Sequence, residues 1–186
     1  MIVKQIESKL THDFILNIHY AKRLPSISYA FGLYDADELI GICTFGSPAS
    51  ASLCKGILGE EHKSKVIELN RLCLKYNRKN EASYLVGNAI KLLPKPKCIV
   101  SYADKAQNHS GVVYKACNFL FTGTTKPRTD MAGKDGKHSR HHLGDRNNRV
   151  YRSAKHRYVY LHGSKTEKKH MLKLLKYPIV EYNNVG

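Results

Sequence analysis

Among the side chains whose types can do chemistry are His19, Tyr20, Arg71, Asp104 and Tyr114. Asp104 closes the apolar run 98–103 (CIVSYA), at the C-terminal end of a predicted strand, where α/β folds set their ligand sites. A carboxylate there can orient a nucleophile or take its proton. The plainer reading is a turn or capping carboxylate. Arg71 lies in the run 65–75 (KVIELNRLCLK), on the ideal-strand face that carries Ile67, Leu69 and Cys73. An arginine on an apolar face is costly unless paired. Its partner is open between Asp104, Glu68, a carbonyl and a phosphate. Glu68 points to the opposite face of an ideal strand, so pairing with it requires a bulge. His19 and Tyr20 fall off the apolar stripe of a predicted helix. They read as a surface pair, as acid/base groups or, with Tyr114, as ligands for a metal such as iron.

The charge is unevenly spread. The formal net charge is +16, and the stretch 132–157 (AGKDGKHSRHHLGDRNNRVYRSAKHR) holds eight Lys or Arg against two Asp. Nearly devoid of apolar residues, it is no core element. A solvated linker is one reading. A nucleic-acid contact surface fits better, because Arg forks, Lys point charges and small polar residues suit phosphate contact. The candidates are Arg128, Lys134, Lys137, Arg140, Arg146, Arg149 and Arg152. His138, His141 and His142 match no closed zinc spacing. An anionic lipid partner is disfavoured by the missing apolar face.

Composition narrows the class further. With 42% apolar residues, the 186-residue chain can bury a core unaided. No apolar run reaches the ~20 residues of a membrane span. Lys4, Glu7, Lys9, Asp13, Lys22 and Arg23 leave no secretory h-region at the start. Five cysteines without a CxxC pair read as core thiols of a reducing compartment.

The elements that must position these residues follow from periodicity. The spacing predicts a helix over 11–24, capped by Thr11 and stopped by Pro25. Residues 26–34 alternate and pair with 38–46 as a hairpin; 47–63 reads as loop and 65–75 as a strand. A helix capped by Asn80 carries Ala82, Leu85, Val86, Ala89, Ile90 and Leu93 on one stripe, and Pro94 ends it. After the strand 98–103 come a helix over 110–121, a strand over 156–162, and a last helix opened by a Ser164–Glu167 capping box. The fold class is α/β, a mixed central sheet flanked by helices, in a single domain over 1–186 with the basic loop 132–157 inserted near its end. The unit 65–103 is a right-handed parallel crossover. This order resembles the GNAT acyltransferase fold.

Several ordered blocks resemble the Mom family of phage DNA-modification proteins. They are His19-Tyr20, PSISYAFGL (25–33), GSPAS (46–50), ELNRLCL (68–74), NEAS (80–83) and IVSYAD (99–104). Gln107, Tyr114, Asn118-Phe119-Leu120 and Arg128-Thr129-Asp130 extend the likeness, which covers roughly residues 12–130. The resemblance implies a GNAT-like fold and an enzyme that converts adenine in double-stranded DNA to N6-carbamoylmethyladenine, protecting phage DNA from restriction in the host cytoplasm. It also implies that His19, Tyr20, Arg71, Asp104 and Tyr114 bear on activity. The target base must leave the stack and rest on aromatic or apolar surface, for which Tyr20, Tyr29, Tyr102 and Tyr114 are candidates. Acetyl transfer alone cannot make this product, so another donor or a second step is needed. The alternatives are a GNAT-fold acyltransferase acting on a protein or small amine, and a non-enzymatic DNA-binding protein.

The strand–helix junction lacks the glycines of the usual acyl-CoA loop. Arg78, Lys79, Asn80 and Ser83 are the cofactor-binding candidates there, at a helix N-terminus that suits an anion. Acyl-CoA and iron both stay open as cofactors, as does the oligomeric state, a homodimer included. Neutralising Arg140, Arg146, Arg149 and Arg152 together is expected to weaken duplex binding and to lower the log–log salt slope by about 0.9 for each phosphate no longer neutralised. An unchanged affinity and slope in the quadruple variant would contradict the nucleic-acid reading.

Overall fold

The computed structural model describes residues 1–131 and 148–181. Seven strands form one mixed sheet: β1 (Ile2–Gln5), β2 (Tyr29–Asp35), β3 (Glu38–Gly46), β4 (Val66–Leu74), β5 (Lys97–Asp104), β6 (Leu120–Thr124) and β9 (Lys155–His162). Their order is β1-β2-β3-β4-β5-β9-β6, and β7 (Arg128–Met131) pairs with β8 (Arg149–Arg152) in a separate two-stranded ribbon. Only β4 and β5 run parallel in the large sheet, joined by α2 (Glu81–Leu92), as the crossover pattern predicts. The other helices are α1 (Ala51–Leu58), α3 (Val112–Ala116) and α4 (Lys165–Leu174).

Strand alternation sends side chains into two layers. Phe31, Leu33, Phe45, Leu69 and Ile99 pack against Leu85, Val86, Ala89 and Ile90 of α2. On the opposite face Val66, Cys98, Val100 and Val159 meet Ile57 and Leu58 of α1 and Met171 of α4. A third cluster joins Phe14 and Ile15 to Ile42 and Cys73. The Ser164 capping box of α4 is present, with both reciprocal bonds formed.

Four sequence expectations fail locally. The helix over 11–24 is a short turn, Ser8–Thr11, then one wide turn, Phe14–Ile18, whose bonding runs from His19 N–H to the Phe14 carbonyl at 2.8 Å. Thr11 bonds back to the Ser8 carbonyl instead of capping. Burial of Phe14 and Ile15 holds that turn; beyond it His19 is extended and Lys22 left-handed, so the chain turns away. Residues 47–63 are not all loop, because α1 hides an apolar face among small residues. The helix over 110–121 shrinks to α3. Asn118 at φ 60° ends it, and β6 follows with Phe119 and Phe121 in one core layer and Leu120 against the other. The ribbon β7–β8 falls at the base of the basic excursion, where the sequence pattern shows no regular element; residues 132–147 lie outside the described residues. Asn80 precedes α2 in a left-handed conformation, and its side chain makes no capping bond.

Gly111 opens α3 at φ 82°, and a Cβ there would stand 2.1 Å from the Tyr158 hydroxyl, which bonds the Ser110 carbonyl. Both the backbone and the space demand glycine. Gly111→Ala is expected to lose about 2–4 kcal/mol in urea unfolding, strain and overpacking together. A loss below about 0.5 kcal/mol would contradict this packing.

Candidate functional site

The site begins with a bulge. Thr44 pairs with Arg71 and Phe45 with Leu69, so Asn70 is the extra residue on β4. Its side chain is clamped: Thr44 Oγ1 donates to it at 2.6 Å, and its Nδ2 donates to the Ser26 carbonyl at 2.8 Å. The bulge resets the alternation. Leu69 keeps to the α2 side and Leu72 and Leu74 move onto it, while Arg71 joins the face of Glu68, and Cys73 packs on Phe14 and Ile15. Glu68, opposite Arg71 in an ideal strand, therefore becomes its neighbour.

The parallel ladder of β4 and β5 ends at Glu68 and Val100. Beyond it the strands part. The Ser101 hydroxyl spans the gap, donating to the Leu69 carbonyl at 2.9 Å, and the Tyr114 hydroxyl stands 2.8 Å from it. Burial pushes the Tyr114 phenol up to about 12, against the pull of the Ser101 bond. The parting opens into a cleft of about 1360 Å³ lined by His19, Tyr20, Glu68, Arg71, Asp104 and Tyr114, among others. All five residues singled out for chemistry thus meet in one cavity.

Each has a definite state. Arg71 donates from Nε (3.2 Å) and Nη2 (2.7 Å) to the Arg23 carbonyl and from Nη1 (2.6 Å) to the Asn70 carbonyl. Of the partners left open by the sequence, the carbonyl is the one found, and Arg71 ties the loop carrying His19 and Tyr20 onto β4. Asp104 pairs with Lys155 rather than Arg71, and also accepts from Ser153 and from the Ala106 N–H. Burial pushes its carboxyl up, but the bonds from Lys155 and Ser153 outweigh this and hold it below the usual range. His19 accepts the Ala21 N–H on Nδ1 at 3.0 Å, so its neutral ring carries a proton on Nε2. Burial, then Arg71 and His109, push it down to about 4. Its ring stacks on Tyr20 at 4.5 Å, and Tyr20 meets His109 edge-on at 5.8 Å.

Sequence reasoning reaches Glu68 only as a partner for Arg71, yet it is a cleft carboxyl that burial holds toward its neutral form. Burial pushes its carboxyl up to about 7, against the pull of Arg71, Arg23 and the Ala49 N–H. A carboxylate in an apolar strand, one bulge away from an arginine, was the available signal. The cleft lining is cationic, with seven Lys and Arg against three Asp and Glu. Arg128 and Arg152 belong to it, and Arg149 sits on the same ribbon with its guanidinium turned to Thr129. Lys134, Lys137, Arg140 and Arg146 lie outside the described residues, as do His138, His141 and His142.

The candidate cofactor residues form no phosphate cradle. Arg78 is held by Glu81 and Asp35, and the Glu81 carboxylate accepts the Arg78 N–H at 2.7 Å at the head of α2. A buried carboxylate thus occupies the positive end of the helix, where a pyrophosphate would need to sit. Asn80 lends only its carbonyl, which accepts from the Ser83 hydroxyl at 3.1 Å and the Tyr84 N–H at 2.9 Å. Arg78, Lys79, Asn80 and Ser83 all stand outside the cleft lining, so the residues present do not fit the pyrophosphate of an acyl-CoA. For iron, His19, Tyr20 and Tyr114 all line the cleft; His19 Nδ1 accepts the Ala21 N–H, and the Tyr114 hydroxyl stands against Ser101. Among the described residues no group of three or more His, Cys, Asp or Glu could hold a metal ion.

Sheet order, parted central strands and crossover helix define a GNAT acetyltransferase fold. An acetyltransferase of Bacillus subtilis in complex with CoA is similar over 86% of this chain and 97% of its own (TM-score 0.52, 13% identity). A probable acetyltransferase of Staphylococcus epidermidis covers 86% and 98% (TM-score 0.55, 11% identity). Within that fold the chain belongs to the Mom protein family, whose profile matches residues 1–179. The methylcarbamoylase mom of Escherichia phage Mu is 28% identical over 128 residues, 66% of this chain. The chain matches about half, 53%, of that relative's length.

Coenzyme A is expected to bind no tighter than about millimolar in calorimetric titration, a standard free energy near about −4 kcal/mol. A low-micromolar Kd with the pyrophosphate seated on α2 would overturn the reading of Glu81 as a block.

Proposed function

We propose that the chain is a DNA-modifying transferase that places an adenine of double-stranded DNA in the cleft and joins a carbamoylmethyl group to N6. The observation that carries this reading is Glu68, a carboxyl near 7 inside a cationic cleft, in a chain of the Mom family. The name of the phage Mu relative supports the group transferred. The reading sets the reaction in the host cytoplasm, and no described helix is long and apolar enough to cross a membrane.

N6 is a weak nucleophile because its lone pair is delocalised into the ring. It gains strength if its proton leaves as the bond to carbon forms. Glu68 accepts that proton while the bond between the donor's methylene carbon and its leaving group breaks. Arg71 keeps the His19–Tyr20 loop in place, and the Nε2–H of His19 and the Tyr114 hydroxyl supply neutral donors for the base edge or donor carbonyl. Asp104, neutralised by Lys155, acts by position: it fixes the chain between β8 and β9 beside the cleft. Rim arginines hold the flanking phosphates. A GNAT-fold acyltransferase of a protein or small amine would leave DNA unmodified.

The test is nucleoside mass spectrometry of plasmid DNA from cells expressing the protein. N6-carbamoylmethyladenine is expected; unmodified adenine throughout would refute the function. Glu68→Gln should reduce the modified fraction by about 10²–10⁴ in initial rate. Activity should rise with pH and level off above about 7, because the carboxylate is the base form. The raised value means that stability falls as pH rises from 4.5 to about 7 and carries the full penalty above that, so Glu68→Gln should melt no lower than wild type at about pH 8. A variant with wild-type rate would remove Glu68 from the chemistry.

A further inference from the structure

Extruding a base leaves a hole in the stack, and a protein that does so must lower the cost of that hole. The ribbon β7–β8 stands at the cleft wall: Arg128, Asp130, Tyr151 and Arg152 all line the cavity. Tyr151 pairs across the ribbon with Thr129 and is 68% exposed. An aromatic ring so open contributes little to the core of this chain. Arg128 and Arg152 face one another on adjacent strands, sharing Asp130 at 3.4 and 3.7 Å, and Arg149 completes a net positive ribbon. A two-stranded ribbon is the element, besides a helix, that a major groove of about 12 Å admits.

We propose that the β7–β8 ribbon enters the groove of duplex DNA and that the Tyr151 ring stacks in the space vacated by the base turned into the cleft. The inference rests on the reading of DNA adenine as substrate. The charge complementarity of arginines and phosphates selects a duplex as occupant, and the exposed Tyr151 ring, one pair along the ribbon from Arg128 and Arg152, supplies the π-face. The chain after β8 strengthens the assignment. Ser153 and Lys155, one and three residues beyond Arg152, both bond Asp104 at the end of β5. A ribbon seated in the groove is therefore held in register with the cleft floor. Tyr151 is a positioning residue here: it acts on the DNA stack, not on the reacting atoms.

The experiment titrates wild type, Tyr151→Phe and Tyr151→Ala into a panel of duplexes, each with 2-aminopurine replacing one adenine. Anisotropy reads binding, and 2-aminopurine emission reads unstacking. Wild type and Tyr151→Phe are expected to brighten at least one duplex. Tyr151→Ala should bind within about threefold of wild type while its extruded fraction falls about tenfold or more, the scale of a single base–aromatic stack. Tyr151→Ala that brightens the duplex like wild type overturns the proposal. So does a wild type that brightens none, or a folded Tyr151→Ala that does not bind at all, since the ring would then be an ordinary affinity group. A wild type that extrudes the base yet leaves plasmid adenine unmodified refutes the transferase reading and leaves this one standing.

Discussion

One extra residue on a central strand organises the site. Without the bulge at Asn70, Arg71 would sit on the α2 face among leucines, an unpaired cation in the largest apolar layer. With it, Arg71 emerges beside Glu68 and reaches the Arg23 carbonyl. The same irregularity comes where the β4–β5 ladder ends, so the backbone groups that lose their partners there line the cavity. The Leu69 carbonyl is one of them, and the Ser101 hydroxyl satisfies it. The bulge is held by side chains from β3 and from the segment before β2, so its geometry is set by the fold and not by a ligand.

Electrostatics then divides three groups in one cleft into distinct states. Asp104 is ionised and spoken for, Glu68 is poised between forms, and His19 is neutral. Neighbours decide which. Lys155 and Ser153 compensate the burial of Asp104, whereas the guanidinium of Arg71, the first cation acting on Glu68, spends its bonds on the Arg23 and Asn70 carbonyls. The helix terminus that the fold places over the same parted strands carries its own carboxylate, Glu81. The chain thus has a GNAT fold with a carboxylate of its own at the head of α2.

Long-period features are legible in the sequence. The α2 stripe, the hairpin β2–β3 and the capping box of α4 each show a repeat or a pair that only one structure satisfies. The co-location of His19, Tyr20, Arg71, Asp104 and Tyr114 rests on resemblance, since no local pattern links residues so far apart. What escapes has physical causes. A bulge is one residue long and leaves alternation looking intact, so an ideal strand puts Glu68 on the wrong side. The run 110–121 is apolar enough for a helix, and only the left-handed turn at Asn118 converts its second half into β6. In α1, Ser, Ala and Gly dilute the periodicity of Leu53, Ile57 and Leu58. Of the large apolar side chains in 11–24 only Phe14 and Ile15 are buried, and helical propensity alone does not sustain the rest.

The antiparallel pairing of Arg128–Met131 with Arg149–Arg152 has an architectural consequence. The ends of the intervening segment are already brought together by a ladder, and the strand that leaves it is pinned at Asp104. Closing a longer connection across such a clasp adds only a slowly growing entropy. Insertions, deletions or wholesale exchange of that connection are therefore absorbed without moving β5 or β9.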